Sequence, residues 1–84
     1  MHYTVTWDRR PQNDLADFWT NNPALRAAIT IASDTIEQVL KFFPDRAGHP
    51  YGDDFQLIVS PLSVVYSFSP EDCLVTVKDV VLAT

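Results

Sequence analysis

The side chains that could do chemistry are few and widely spaced. His49 lies in the segment Gly48-His49-Pro50-Tyr51, close to Arg46, and could act there as a general base or contact a partner. Arg46 and His49 are therefore the candidate catalytic residues, although we favour the alternative of an exposed loop histidine. Neither His49 nor the other histidine, His2, has a cysteine or carboxylate at ligand spacing, so we expect no metal site and no cofactor.

Arg9 and Arg10 form the one adjacent basic pair in the sequence. They are candidate contacts for an acidic protein partner or for nucleic acid, and the alternative that we favour is local balancing of Asp8 and Asp14. The single cysteine, Cys73, has no histidine or cation beside it to lower its pKa, so we interpret it as a small apolar residue.

Two adjacent acidic residues, Asp53 and Asp54, precede a strand-like segment. Such a pair could bind a cation. Acidic residues beside a strand more often form a solvated loop and protect a sheet edge, and we favour that interpretation.

Composition excludes several classes of protein. The chain has 84 residues, 46% of them hydrophobic, which is enough for one domain spanning residues 1–84 with a real core. Its net charge of −5 opposes binding to phosphate backbones, so nucleic acid is not an expected partner. No apolar run is long enough to span a bilayer and no secretory signal is recognisable, and we therefore expect a cytoplasmic protein that does not enter a membrane.

Hydrophobic periodicity predicts the first half of the fold. Residues 2–7 alternate as a strand with one buried face. Apolar residues at helical spacing then predict a short helix after Pro11. Asn22 and Pro23 suit the start of a second helix that ends at Pro44. The apolar stripe of that second helix comprises Leu25, Ala28, Ile29, Ala32, Ile36, Val39, Leu40 and Phe43.

The second half is predicted to be β-structure. Residues 44–54 contain both glycines and two prolines and are expected to form a loop. Three strands follow, over residues 55–59, 62–68 and 74–82. The predicted fold class is α+β, in the order β-α-α-β-β-β, with a two-helix hairpin packed on a small antiparallel sheet.

The strands leave apolar residues for both faces of the sheet. If Leu57, Val59, Val64, Tyr66 and Phe68 point inward, Ile58 and Val65 point outward. In the last strand, one of two apolar sets must join them: Val75, Val77 and Val81, or Leu74, Val80 and Leu82. We interpret a half-apolar outer face as a surface for a protein partner or a second copy of this chain, the alternative being scattered surface residues.

Several segments in this order resemble the RelE/ParE superfamily of toxins from bacterial type II toxin–antitoxin modules. They are Tyr3-Thr4-Val5-Thr6-Trp7, Arg26-Ala27-Ala28-Ile29, Asp34-Thr35-Ile36-Glu37-Gln38-Val39-Leu40, the loop from Pro44 to Gly52 leading into Phe55, and Leu62-Ser63-Val64-Val65-Tyr66-Ser67-Phe68, followed by an acidic turn and a Val-rich strand. The resemblance implies the RelE/ParE fold, with a cognate antitoxin as partner.

The resemblance also implies cations that this chain lacks. RelE-like ribonucleases use Lys and Arg on the open face of the sheet, and this sequence has Gln56 and Ser63 where Arg often stands. The sequence ends at Thr84, about where members of the family usually continue into a basic and aromatic tail. Cations that stabilise a developing phosphorane contribute strongly to such a reaction, so the sequence argues against an enzyme of this type.

The ParE branch is described as acting on DNA gyrase, a protein target that does not require those cations. We therefore expect a toxin that acts by protein binding, with Gln56, Ile58, Ser63, Val65, Arg9 and Arg10 as partner-binding residues. Two alternatives stay open at this point: a non-toxic interaction domain that keeps the fold, and a ribosome-dependent mRNA endonuclease.

Overall fold

A computed structural model describes residues 2–83. Within this range the chain forms the five strands Thr4–Trp7 (β1), His49–Tyr51 (β2), Asp54–Val59 (β3), Leu62–Ser69 (β4) and Leu74–Leu82 (β5). The helices are Arg9–Asn21 (α1), Arg26–Phe42 (α2) and the single turn Pro44–Ala47 (α3), with a 3-10 turn at Pro23–Leu25. The α+β class is thus as the sequence predicts.

Helix α2 forms the centre of the helical layer because four of its apolar residues recur at three- and four-residue spacing. Ile29, Ala32, Ile36 and Leu40 are all at most 1% exposed. Phe43, predicted as the last member of this stripe, is 53% exposed. That prediction was wrong because α2 ends at Phe42 and the backbone of Phe43 has left helical geometry, with φ −136°.

The connection between the helices also differs from its predicted form. Asn22 makes no capping bond to α2, and its side-chain amide instead donates to the carbonyl oxygen of Phe18 at 2.9 Å. Pro23 opens the 3-10 turn rather than α2 itself. The Asn22-Pro23 signal therefore marks the end of α1 and the turn, because Asn22 satisfies a carbonyl group at a helix C-terminus.

The sheet is mixed rather than antiparallel. Its strand order is β1-β5-β4-β3-β2, with β1 parallel to β5 and the other neighbours antiparallel. The helices α1 and α2 carry the chain from β1 to β2 at the opposite edge of the sheet, and the successive antiparallel strands β2 to β5 then bring β5 beside β1, running in the same direction. The prediction of an all-antiparallel sheet was wrong for this edge strand.

Residues 44–54 were predicted as a loop, and most of them have regular structure. Pro44 begins the turn α3, and β2 then pairs with β3 in a hairpin. Gly52 lies in the connecting turn with φ +63°, a conformation that glycine adopts without the steric penalty of a side chain. The prolines and glycines here mark a short edge hairpin, since edge strands tolerate proline.

A β-bulge in β5 resolves which apolar residues face the helices. Tyr66 pairs with Val77 while its neighbour Val65 pairs with Asp79, so Lys78 is the extra residue on β5. Val75 and Val77 are buried before the bulge and Val80 after it, whereas Val81 is 49% exposed. Neither predicted set was correct, because the extra residue shifts the period-2 alternation by one position.

The core lies between the helices and one face of this sheet. Tyr66 points into it, as predicted, together with Leu62, Val64, Val75 and Val77, which are all fully buried. Leu15 and Phe18 of α1 pack against the same cluster, so α1 and α2 cover one face only. No helix within residues 2–83 is both long and apolar enough to cross a membrane.

Candidate functional site

The face of the sheet turned away from α1 and α2, called here the open face, carries four of the predicted partner-binding residues. Ile58 pairs with Ser63, and Gln56 pairs with Val65, in alternate cross-strand rows of β3 and β4, which lie on the same face of the sheet. Directly opposite residues of an antiparallel pair lie on the same face. The structure therefore brings together Gln56, Ile58, Ser63 and Val65, as the alternation of the sequence predicts.

Apolar side chains remain accessible on the open face. Ile58 is 60% exposed and Val81, which pairs with Ser63 from the other side, is 49% exposed. Val65 is half-buried and lies outside the core cluster. These three residues lie around Ser63 on the open face and are called here the β3–β5 patch.

The two positions at which the resemblance implies arginine hold neutral side chains that bond to each other. The amide nitrogen Nε2 of Gln56 donates to Oγ of Ser63 at 3.2 Å, and Ser63 is only 5% exposed. This bond uses one N–H of the Gln56 amide and the hydroxyl oxygen of Ser63. Neither side chain can contribute positive charge to a phosphate.

The bulge gives the open face one cation. Lys78 Nζ lies 3.0 Å from Oδ1 of Asp54, and the two side chains are 46% and 25% exposed. Among residues 2–83 no other Lys or Arg stands on the five strands. This pair could not be predicted from the sequence, because 24 residues separate Asp54 from Lys78 and the bulge that orients Lys78 has no clear sequence signal.

The candidate catalytic residues do not share a site. His49 pairs with Gln56 and so lies on the open face, exposed at the β2 edge. Arg46 lies on α3, 3.9 Å from Asp45 and with 79% of its side chain exposed. It lines a cavity of about 450 Å³ together with Tyr3, Phe42, Phe43, Asp45, Phe68 and Pro70. His49 does not line that cavity.

Arg9 and Arg10 lie on the helical layer, in the first turn of α1, apart from the open face. Arg10 approaches Asp14 at 3.9 Å with 83% of its side chain exposed, consistent with the favoured interpretation of local charge balance. Arg26 also interacts with a neighbouring part of the chain. Its guanidinium lies 4.6 Å from the centre of the Trp19 ring and donates a hydrogen bond to the carbonyl oxygen of Trp19 at 2.9 Å. Five of the six basic residues thus lie on helices.

Tyr66 and Gly48 hold the β2 edge of the open face in place. The buried Tyr66 hydroxyl donates to the carbonyl oxygen of Pro44 at 2.6 Å and so ties α3 to the core. Burial raises the pKa of Tyr66 above its usual value, an effect that the nearby Asp45 carboxylate reinforces and a hydrogen bond with the Gly48 backbone opposes. A Cβ on Gly48 would lie 2.8 Å from both the Tyr66 hydroxyl oxygen and the Gln56 carbonyl oxygen, so only glycine fits here.

Comparison with known proteins identifies the architecture. No family model and no curated protein matches the sequence. Among solved structures, the chain is similar to one from the toxin–antitoxin complex RelBE2 of Mycobacterium tuberculosis, with a TM-score of 0.77 and 21% sequence identity. The match covers 98% of this chain and 92% of that one. The fold is therefore RelE-like, which confirms the resemblance to the RelE/ParE superfamily at the level of the fold.

Proposed function

We propose that this protein is the toxin component of a type II toxin–antitoxin module and that it acts by binding a protein, as the ParE branch does, rather than by cleaving RNA. The observation that carries the proposal is the composition of the open face. It combines exposed apolar side chains with a single cation that is already paired with Asp54. The cognate antitoxin is the stable partner and the cytoplasm the place of action.

The charges of the open face disfavour RNA cleavage. A ribonuclease of this fold needs positive charge where the phosphate and the transition-state oxygens would lie, and preorganised charges of this kind contribute several kcal/mol (~3–4) to catalysis. The Lys78–Asp54 pair has no net charge, and Gln56 and Ser63 are neutral. On the described strands the one Lys or Arg is Lys78, and its ammonium is already paired with Asp54, so His49 has no unpaired Lys or Arg on these strands with which to form a phosphate-binding site.

The apolar residues of the same face favour a protein partner. Ile58 and Val81 are each about half exposed or more, and Val65 joins them in the β3–β5 patch. Contiguous exposed apolar surface on a small domain commonly marks a protein contact. DNA gyrase is one candidate target, and the antitoxin would bind to the same face when toxicity is neutralised.

Induction of the chain alone in a bacterial host tests this proposal. Growth, mRNA integrity and DNA supercoiling are followed in the same cultures. We expect growth arrest with intact mRNA, and altered supercoiling if gyrase is the target. The variant Ile58→Ser should relieve the arrest, whereas Ile31→Ser, at a 66% exposed position of α2, should not.

Two results would contradict the proposal. Arrest accompanied by cleaved mRNA would identify a ribonuclease despite the paired cation. Normal growth at good soluble expression, with both variants behaving like the parent, would identify a non-toxic interaction domain that has kept the fold.

A further inference from the structure

The negative charge of the protein is concentrated in its sheet-forming half. Residues 8–43, which form α1 and α2, contain five carboxylates and four cations. Residues 44–83, which include four of the five strands, contain six carboxylates and two cations, for a formal charge of −4 out of a total of −5. A partner of the open face therefore approaches the acidic half of the molecule.

Acidic groups also border the β3–β5 patch itself. Asp79 pairs directly with Val65, so its carboxylate lies beside the apolar surface. Asp54 stands on the same strand as Ile58, with Lys78 as its ion-pair partner. Neighbouring strands are about 4.8 Å apart and residues along a strand about 3.3 Å apart, so Asp79 lies about 5 Å and Asp54 about 8 Å from Val65, while Asp54 is about 13 Å from Ile58. At the shorter distances salt screens charges only partly.

We infer that the open face binds an amphipathic peptide segment whose apolar side chains are flanked by Lys or Arg. This inference rests on the proposed function, since it specifies the chemistry of the protein partner. Apolar residues of the segment cover Ile58, Val65 and Val81. The Lys or Arg side chains of the segment lie near the carboxylates of Asp79 and Asp54. The patch is about 10 Å across its three strands, which matches the width of one helix.

The same charges disfavour two other occupants. A second copy of this chain would bring two acidic halves together in an interface that contains the same patch on both sides. A segment with acidic flanks would place like charges beside Asp79, and like charges across an interface oppose association. A basic flank is the arrangement that complements both the patch and its border.

The test uses two designed helical peptides of about 20 residues, a length at which an isolated helix can form. Both carry the same leucine stripe, and one has lysines and the other glutamates on the flanks. A third peptide keeps the lysines and replaces the leucines by alanine. Binding to the purified full chain is measured by titration at low and physiological salt, with methyl NMR shifts of Ile58, Val65 and Val81 locating the site.

We expect the leucine–lysine peptide to bind at least about tenfold more tightly than either of the others, which corresponds to about 1.4 kcal/mol. Ile58→Ser should weaken its binding about tenfold, while the control Ile31→Ser leaves it unchanged. Asp54→Asn, which removes a carboxylate and releases Lys78, should weaken it more than Asp34→Asn, which makes the same change of net charge at an exposed position of α2.

The inference is overturned if the glutamate peptide binds as tightly as the lysine peptide, or if no peptide binds. It is also overturned if Asp54→Asn and Asp34→Asn weaken binding equally, because the effect would then depend on net charge only. These results are independent of the growth assay. A chain that arrests growth but prefers the acidic peptide overturns this inference alone. A chain that does not arrest growth but binds the basic peptide through Ile58 overturns the proposed function alone.

Discussion

The two faces of the sheet are built by the same strands and have opposite chemistry. On the inner face Val64, Tyr66 and Val77 are fully buried against the helices. On the open face Ile58 is 60% exposed, and the polar groups beside it bond to one another across strands, as Gln56 does to Ser63. The inner face stabilises the fold, and the open face keeps apolar surface that the fold itself does not use.

The difference depends on one extra residue in β5. Before Lys78 the buried valines are Val75 and Val77, and after it the buried valine is Val80. Without the bulge, Val81 would point inward and Val80 outward, since successive side chains alternate between faces. The bulge thus sets which residues the open face presents.

The largest expected effect comes from shortening β5 by one residue, either at Thr76 before the bulge or at Lys78 within it. Deletion of Thr76 should destabilise the protein by about 3 kcal/mol or more, because either Val75 or Val77 must then leave the inner face. Deletion of Lys78 removes the extra residue and keeps Val75, Val77 and Val80 inward. It should cost only about 1 kcal/mol, from the lost ion pair with Asp54.

Urea unfolding of both deletion variants measures this difference. Circular dichroism of the Lys78 deletion should match that of the parent, which shows that the fold is retained. Equal destabilisation by the two deletions would mean that the bulge is required for folding and does not merely set the alternation.

A smaller effect is expected from trimming one side chain on each face. Leu62→Ala should lower the free energy of unfolding by about 3 kcal/mol, because Leu62 is fully buried and its removal leaves a cavity. Ile58→Ala should change it by no more than about 0.5 kcal/mol, since that side chain is mostly in water. Urea midpoints at unchanged slope check the pair, and a large loss for Ile58→Ala would show that the open face is part of the core.

An effect smaller than that of Leu62→Ala is expected from removing the hydroxyl group of Tyr66. Tyr66→Phe should cost about 1–2 kcal/mol because the carbonyl oxygen of Pro44 loses its buried donor. The pKa of Tyr66 is raised in the folded state, so the unfolded chain ionises first as the pH rises. The stabilisation contributed by the protonated Tyr66 hydroxyl is fully present below 10.0, the pKa of tyrosine in the unfolded chain. It is lost as the pH rises through the higher pKa of Tyr66 in the folded state.

Thermal unfolding from pH 8 to 11 therefore provides the measurement. The parent should lose stability above pH 10 more steeply than Tyr66→Phe does. Parallel curves for the two proteins would show that the Tyr66 hydroxyl does not contribute to the alkaline loss.

Much of the fold could be predicted from local patterns. The α2 stripe identified Ile29, Ala32, Ile36 and Leu40 as core residues, and the strand pattern identified Val64 and Tyr66 as inward-facing and Ile58 and Val65 as outward-facing, but not the buried Leu62. Three features could not be predicted in this way: the parallel β1–β5 pairing, the short strand β2, and the bulge at Lys78. Each depends on pairing between residues far apart in the chain.

The amino-acid sequence by itself determined the helical stripe, the alternation of β3 and β4, the acidic balance of the chain and the scarcity of cations after Pro44. These properties are local, because propensity, periodicity and charge belong to each residue or its near neighbours. Only the tertiary structure decided that Gln56 bonds to Ser63, that Lys78 pairs with Asp54 and that Arg46 and His49 lie apart. The physical reason is that strand register and the bulge are set by packing across the whole sheet, and a shift of one residue exchanges the two faces.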